Sequence, residues 1–222
     1  MERIFEGEVY EIVPQAQGIV FSYCKGSSGD NVLVAYKMLS LETGVMSDVA
    51  KNIYLLSKFG SNYRASSELC NNYVTARSVV LPSGKVIFCC ENGNAYLIDG
   101  DGLPVWSGDF RYKGNAPSDI AIHKNSLWAC YNKTGVLLRF NLNTMREELR
   151  IGGANSPFGR PSGIFVEDDI AVVSSSGNNK LLKVDLNGYN VRDYKEFSES
   201  VYSYVKVKGK EFVLLESGIY VL

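Results

Sequence analysis

The sequence predicts an all-β fold assembled from five copies of one four-stranded antiparallel unit. Two observations carry the prediction. The first is an internal repeat. PSDIAIHKNSLWACYNKTGVLLRFNLNT, starting at Pro117, lies without a gap over PSGIFVEDDIAVVSSSGNNKLLKVDLNG, which starts 44 residues later at Pro161. A period in the low forties marks one supersecondary unit used several times, as in the blades of a β-propeller. The second is the apolar pattern inside the repeat. Short runs of β-branched and aromatic residues, the length of a strand, are separated by Gly, Asn, Ser and Asp clusters.

The elements can be assigned in chain order. Residues 3–7 (RIFEG) resemble residues 149–153 (LRIGG), which end a repeat, so the N-terminus is expected to supply an outermost strand. Residues 8–13 (EVYEIV), 18–23 and 32–38 read as strands A, B and C of a first blade. Residues 48–75 interrupt the period. Their Tyr54, Leu55, Leu56, Phe59, Tyr63 and Tyr73, set among Ser and Asn, read as an extra hairpin packed on the ring, the alternative being a protruding element that grips a partner. Strands resume at Val79-Val80-Leu81, Val86–Cys90 and Ala95–Ile98. The two clear repeats follow, each with three apolar strands and a more polar fourth: Glu147–Ile151 in one, Val191–Tyr194 in the other. A polar outermost strand suits a solvated rim, and inner strands packed on both faces should be apolar. A last copy runs through Val205–Val207, Phe212–Leu215 and Ile219–Leu222 and stops after its third strand. An open sheet edge invites pairing with another chain. Residues 2–6 are expected to close that blade and the ring with it, giving a five-bladed β-propeller over residues 1–222 as one domain.

The strand order and the Pro-Ser-x-Ile start of strand A resemble the NHL, YVTN and pyrroloquinoline-quinone-type propeller repeats. The resemblance covers most of the chain after Ala76. It implies the fold and little else, because lyases, lactonases, scaffolds and binding modules share such repeats.

Composition narrows the function classes. The chain has 222 residues, 45% of them hydrophobic, enough for one sizeable core. A formal net charge of −1 argues against a general nucleic-acid binder. No apolar stretch is long enough to span a bilayer, and the acidic start MERIFEGEVYEIV does not read as a signal peptide. The five cysteines, Cys24, Cys70, Cys89, Cys90 and Cys130, read as buried reduced thiols, and hence as a cytoplasmic protein. The chain has a single histidine, His123, expected as a solvated residue of an A–B turn; neighbouring Cys89 and Cys90 would point to opposite faces of a strand. No metal and no cofactor are expected. The carboxylate runs Asp99–Gly102 and Glu167–Asp169 fit hairpin turns better than a calcium loop.

No catalytic residue can be assigned. What remains is the face on which the D–A and B–C connections meet. It gathers Arg111, Tyr112, Lys113, Tyr131, Lys133, Phe158, Arg160 and Asn178, with Asp30 and Glu91 as its chief acids. Arginines and aromatics are enriched in binding hot spots, and loops on a rigid scaffold carry function disproportionately. The expected activity is non-catalytic recognition by a monomer of a protein, a peptide or a small polar or anionic ligand, without nucleic acid or membrane. The alternative is a hydrolase or lyase with acidic and amide residues lining the central channel.

Overall fold

The structure is a computed structural model describing residues 1–29, 31–70 and 75–222. Five four-stranded antiparallel sheets form a five-bladed propeller. The chain opens with β1 (Glu2–Glu6). Blade 1 holds β2 (Val9–Gln15), β3 (Gly18–Ser28), β4 (Asn31–Ser40) and β5 (Met46–Asp48). Blade 2 holds β6 (Arg77–Val80), β7 (Val86–Cys89), β8 (Asn94–Ile98) and β9 (Pro104–Asp109). Blade 3 holds β10 (Asp119–His123), β11 (Ser126–Tyr131), β12 (Val136–Asn141) and β13 (Glu147–Gly152). Blade 4 holds β14 (Pro161–Glu167), β15 (Ile170–Ser175), β16 (Lys180–Asp185) and β17 (Val191–Glu196). Blade 5 holds β18 (Val201–Val207), β19 (Lys210–Leu215) and β20 (Gly218–Val221), and β1 completes it. The closing pair is antiparallel, with Glu2 opposite Val221 and Phe5 opposite Ile219. The edge left open by the last strand is therefore covered, as the sequence leads one to expect.

Five apolar clusters hold the ring, one in each joint between neighbouring blades. Period-2 alternation produces this directly. In β11, Leu127, Ala129 and Tyr131 face blade 2, while Trp128 and Cys130 face blade 4. The Pro-Ser start of the repeat has a mechanical role. Ser118 Oγ donates to Pro161 O of the next blade (2.6 Å), and Ser162 Oγ lies 3.1 Å from Val201 O of the blade after that. The repeated serine thus clips β10 to β14 and β14 to β18.

The insertion corrects the expectation of a hairpin. It holds α1 (Lys51–Phe59), a short 3-10 turn and α2 (Tyr63–Leu69). Gly60, at φ 59°, ends α1, a conformation glycine adopts without strain. Tyr54, Leu55 and Phe59 fill the joint between blades 1 and 2, against Val20 and Tyr36 on one side and Val86, Phe88 and Ile98 on the other. Innermost strands of neighbouring blades touch at the other four joints, whereas α1 itself lies against both β2 and β6. Its last carbonyls, which no helical N–H can reach, are met from both sides. Gln15 Nε2 donates to Ser57 O (3.3 Å) and Ser78 Oγ to Lys58 O (2.8 Å).

The thiol expectation is corrected as well. Cys70, which follows α2, and Cys90, which follows β7, form a disulfide that ties the insertion to blade 2. Cys24, Cys89 and Cys130 are free. Asp30 and Tyr73 lie outside the described residues.

Candidate functional site: the mouth of the central channel

The five innermost strands enclose a channel of about 1040 Å³. Pair register shows which residues share a level in it. Counted from the A–B turn, the fifth pair of each blade places Glu11, Arg77, Asp119, Gly163 and Ser203 at equivalent positions near the start of strand A, the loop-face end. Two steps further in, the same register holds Val13, Val79, Ala121, Phe165 and Val205. A polar, charged level of Glu11, Arg77, Asp119 and Ser203 therefore stands over an apolar one, and these residues line the channel.

Lys58 joins the upper ring from the last turn of α1. Its side chain is 1% exposed, and Nζ lies 2.5 Å from Glu11 Oε2. The Tyr54 hydroxyl donates to the same oxygen. Arg77 Nη1 stands 3.7 Å from Glu11 Oε1. Burial pushes the Lys58 ammonium pKa down, opposed by Glu11. Burial pushes the Tyr54 phenol up, and the Glu11 carboxylate adds to it. Asp119 is built in from two blades. Oδ1 accepts the N–H of Ile120 and Oδ2 the N–H of Ile164 on the neighbouring blade, each at 2.9 Å. Burial still raises its carboxyl to about 6, against the pull of Arg77 and those two amides. Gly163 cannot carry a side chain, because a Cβ there would come within 2.7 Å of Tyr202 O. The backbone of β18 fills that space, so the ring carries no side chain at this position.

The eight residues singled out from the sequence fall on the loop face outside this channel, seven of them in two groups. At the joint of blades 2 and 3, Arg111 Nε and Nη2 both bind Asp109 Oδ2 (2.7 and 2.5 Å). The Tyr112 ring lies under the Arg150 guanidinium (4.5 Å) and edge-on to Tyr131 (5.7 Å), and Lys113 Nζ is 5.6 Å from the Tyr112 ring. At the joint of blades 3 and 4, Phe158 belongs to the apolar cluster, Asn178 Nδ2 donates to Pro157 O (3.2 Å), and Arg160 is exposed. Lys133 is exposed on the B–C loop of blade 3. Tyr131 and Phe158 are buried, with the Tyr131 hydroxyl donating to Phe110 O. They hold the loops in place and present no surface to a partner. His123 also differs from expectation. Its ring is largely buried at the far end of the channel and bonded to Asp169 Oδ1 (2.7 Å), which Lys124 also holds (2.5 Å). These contacts, chiefly that with Lys124, hold the Asp169 carboxyl well below its usual range.

Glu11, Lys58, Arg77 and Asp119 are not among the residues that the sequence singles out. Three of them carried a signal: aligning the strands on their A–B turns stacks Glu11, Arg77 and Asp119, and the first difference between PSDI and PSGI is Asp119 itself. Lys58 carried none, because a hairpin was expected where a helix forms.

Comparison with known protein families and with curated proteins finds no match. Among solved structures, the computationally designed Ika8 protein is similar at a TM-score of 0.52 and 15% identity, over 96% of this chain and 57% of that one. The designed Ika4 protein is similar at 0.51 and 12%, over 64% of this chain and 86% of that one. The RRP9 WD40 repeats give 0.52 and 10%, over 67% of this chain; the chain spans about half the length of that structure, 51%. At these identities the likeness establishes the architecture alone. It adds WD40 repeats to the propellers that this chain resembles in fold, and nothing singles out the NHL, YVTN or pyrroloquinoline-quinone type: the chain is a five-bladed β-propeller.

Proposed function

We propose that this propeller is a non-catalytic recognition module that takes a protein or peptide partner on its loop-rich face. The observation that carries the reading is a pair of exposed cations, Lys133 and Arg160, on the loops of successive blades. Neither is in an ion pair among the described residues. Arg111, by contrast, is already held by Asp109. An unpaired arginine on a rigid frame offers bidentate geometry to a carboxylate or phosphate. The rest of the face supports the same reading. Tyr10 and Tyr202 are exposed at the channel mouth, and the β3–β4 hairpin exposes Val32, Leu33 and Val34.

The test is capture of partners from the native host by the parent protein and by a Lys133→Glu, Arg160→Glu double variant. The parent should retain a partner that the variant loses, with melting temperatures within a few degrees, as for most surface changes. Equal capture by both would move the site off this rim.

A second reading, a hydrolase or lyase, is favoured by one observation: Glu11 and Asp119 stand at the same level of the channel. A screen of ester, lactone and glycoside substrates tests it, with Asp119→Asn as control. Turnover that survives the substitution unchanged would sink it.

A further inference from the structure

We infer that the mouth of the channel is a binding site for a small zwitterion with an apolar side chain, an α-amino acid such as leucine or phenylalanine being the simplest form. Charge accounting within the upper ring leads there. Glu11 is taken up by Lys58 and Tyr54. That leaves one cation and one anion whose pairing is incomplete. Among the described residues the one ion pair of Arg77 is the long contact to Glu11, and its side chain is 32% exposed. Asp119 accepts one amide N–H on each oxygen, which leaves each oxygen a further lone pair. Arg77 and Asp119 occupy equivalent positions on adjacent strands, yet no ion pair within 4.0 Å joins them among the described residues. The two stand as separated jaws of opposite charge.

The rest of the ring adds no further charge. Gly163 and Ser203 continue it beside Asp119 with little or no side-chain volume, and Gly163 must stay as it is. A ligand carrying only an anion would meet Asp119 next to Arg77. One carrying only a cation would meet Arg77 and Lys58. A molecule with a carboxylate for Arg77 and an ammonium for Asp119 satisfies both. Below this level Val13, Val79, Ala121, Phe165 and Val205 offer an apolar well for its side chain. Tyr10 and Tyr202, 37% and 40% exposed, also line the channel at its mouth. A few placed polar groups over apolar walls is the usual make-up of a small-molecule site. The site is independent of the Lys133–Arg160 rim, so either can fail without the other.

The experiment is calorimetric titration of the full chain at neutral pH with leucine and phenylalanine. The same titration is run with isoamylamine, which lacks the carboxylate, with 4-methylpentanoate, which lacks the ammonium, and with leucyl-leucine, whose charges are further apart. Leucine or phenylalanine should bind, and each singly charged analogue should lose about tenfold or more, because a site built for a charged group is left with it unmet. Tighter binding of the dipeptide would set the ligand's length without changing its class. Arg77→Gln and Asp119→Asn should each weaken the amino acid about as much, whereas Arg160→Glu should not. The analogue series needs no variant, so a misfolded substitution does not spare the idea. No heat from any zwitterion at millimolar concentration would overturn it. So would equal binding of leucine and isoamylamine, or a folded Asp119→Asn protein that binds like the parent.

Discussion

Closure of the ring by β1 places a heavy load on one side chain. Phe5 is half-buried in the joint between blades 5 and 1, with its ring edge-on to Phe21 (4.9 Å) and Tyr23 (5.0 Å). Ile4 packs in the same cluster. Removing a fully buried phenylalanine side chain costs about 3–5 kcal/mol. Phe5 is only partly buried, which lowers that figure, but it also loses two aromatic contacts worth about 0.5–1.5 kcal/mol each. Phe5→Ala should therefore cost roughly 2–4 kcal/mol. In a chain of this size each kcal/mol moves the melting temperature by about 2–4 °C, so the shift should be about 4–16 °C. Thermal melts followed by circular dichroism measure it, with the exposed Glu2→Ala as a control expected to change little. Deleting residues 1–7 goes further: it removes the whole strand and leaves β20 as an open edge. That protein should aggregate or unfold without cooperativity. A Phe5→Ala melt within about 2 °C of the parent would refute the reasoning; so would a monomeric truncation that melts like the full chain.

Three further outcomes follow from the channel and the thiols. Lys58→Met strips the partly buried Glu11 of its nearest cation and should cost about 3 kcal/mol, less if Arg77 moves in; the double variant with Glu11→Leu should recover much of the loss in urea unfolding, and a neutral single variant would contradict the assignment. Asp119 has a folded pKa raised from 3.8 to about 6, so the folded state binds its proton more tightly than the unfolded one; this group's contribution must fall as pH rises from about 4 to about 6, by roughly 3 kcal/mol, and parent minus Asp119→Asn stability across that window should show the fall, a flat difference counting against it. Under non-reducing native conditions Cys24 should alkylate first and Cys89 and Cys130 slowly, since burial lifts both their thiol pKa values, Cys89 to about 12; Cys70 and Cys90 should label only after reduction, and native labelling of all five would disprove the pairing.

The blades were legible because their physics is local. A strand of alternating or continuous apolar residues between turn formers announces itself, and a self-match at an offset of 44 residues gives the period. Even the closing strand could be read, because residues 3–7 look like the end of a repeat. The insertion could not. In α1 the buried positions are Tyr54, Leu55, Lys58 and Phe59, so a lysine interrupts the apolar stripe that would mark a helix, while Ile53 and Leu56 are exposed. The channel site was half legible. Arg77 and Asp119 follow from register once strands are aligned on their turns, but the ion pair that buries Lys58 depends on where a helix docks, and no spacing in the sequence encodes that. Arg111 looked free by composition and is not, because Asp109, two residues back, already grips it.

The helix between blades 1 and 2 acts as a shim. Four joints of the ring bring innermost strand against innermost strand, and serines clip two of them, β10 to β14 and β14 to β18. The fifth is set by the girth of α1, by two side-chain bonds to its final carbonyls and by one covalent tether. The bore of the channel therefore depends on a part that belongs to no blade. Trimming Phe59 or Leu55 would narrow or slacken that joint while every strand pair stays in register. The same helix carries Lys58, so gauge and charge at the mouth are set together by nine residues outside the repeat.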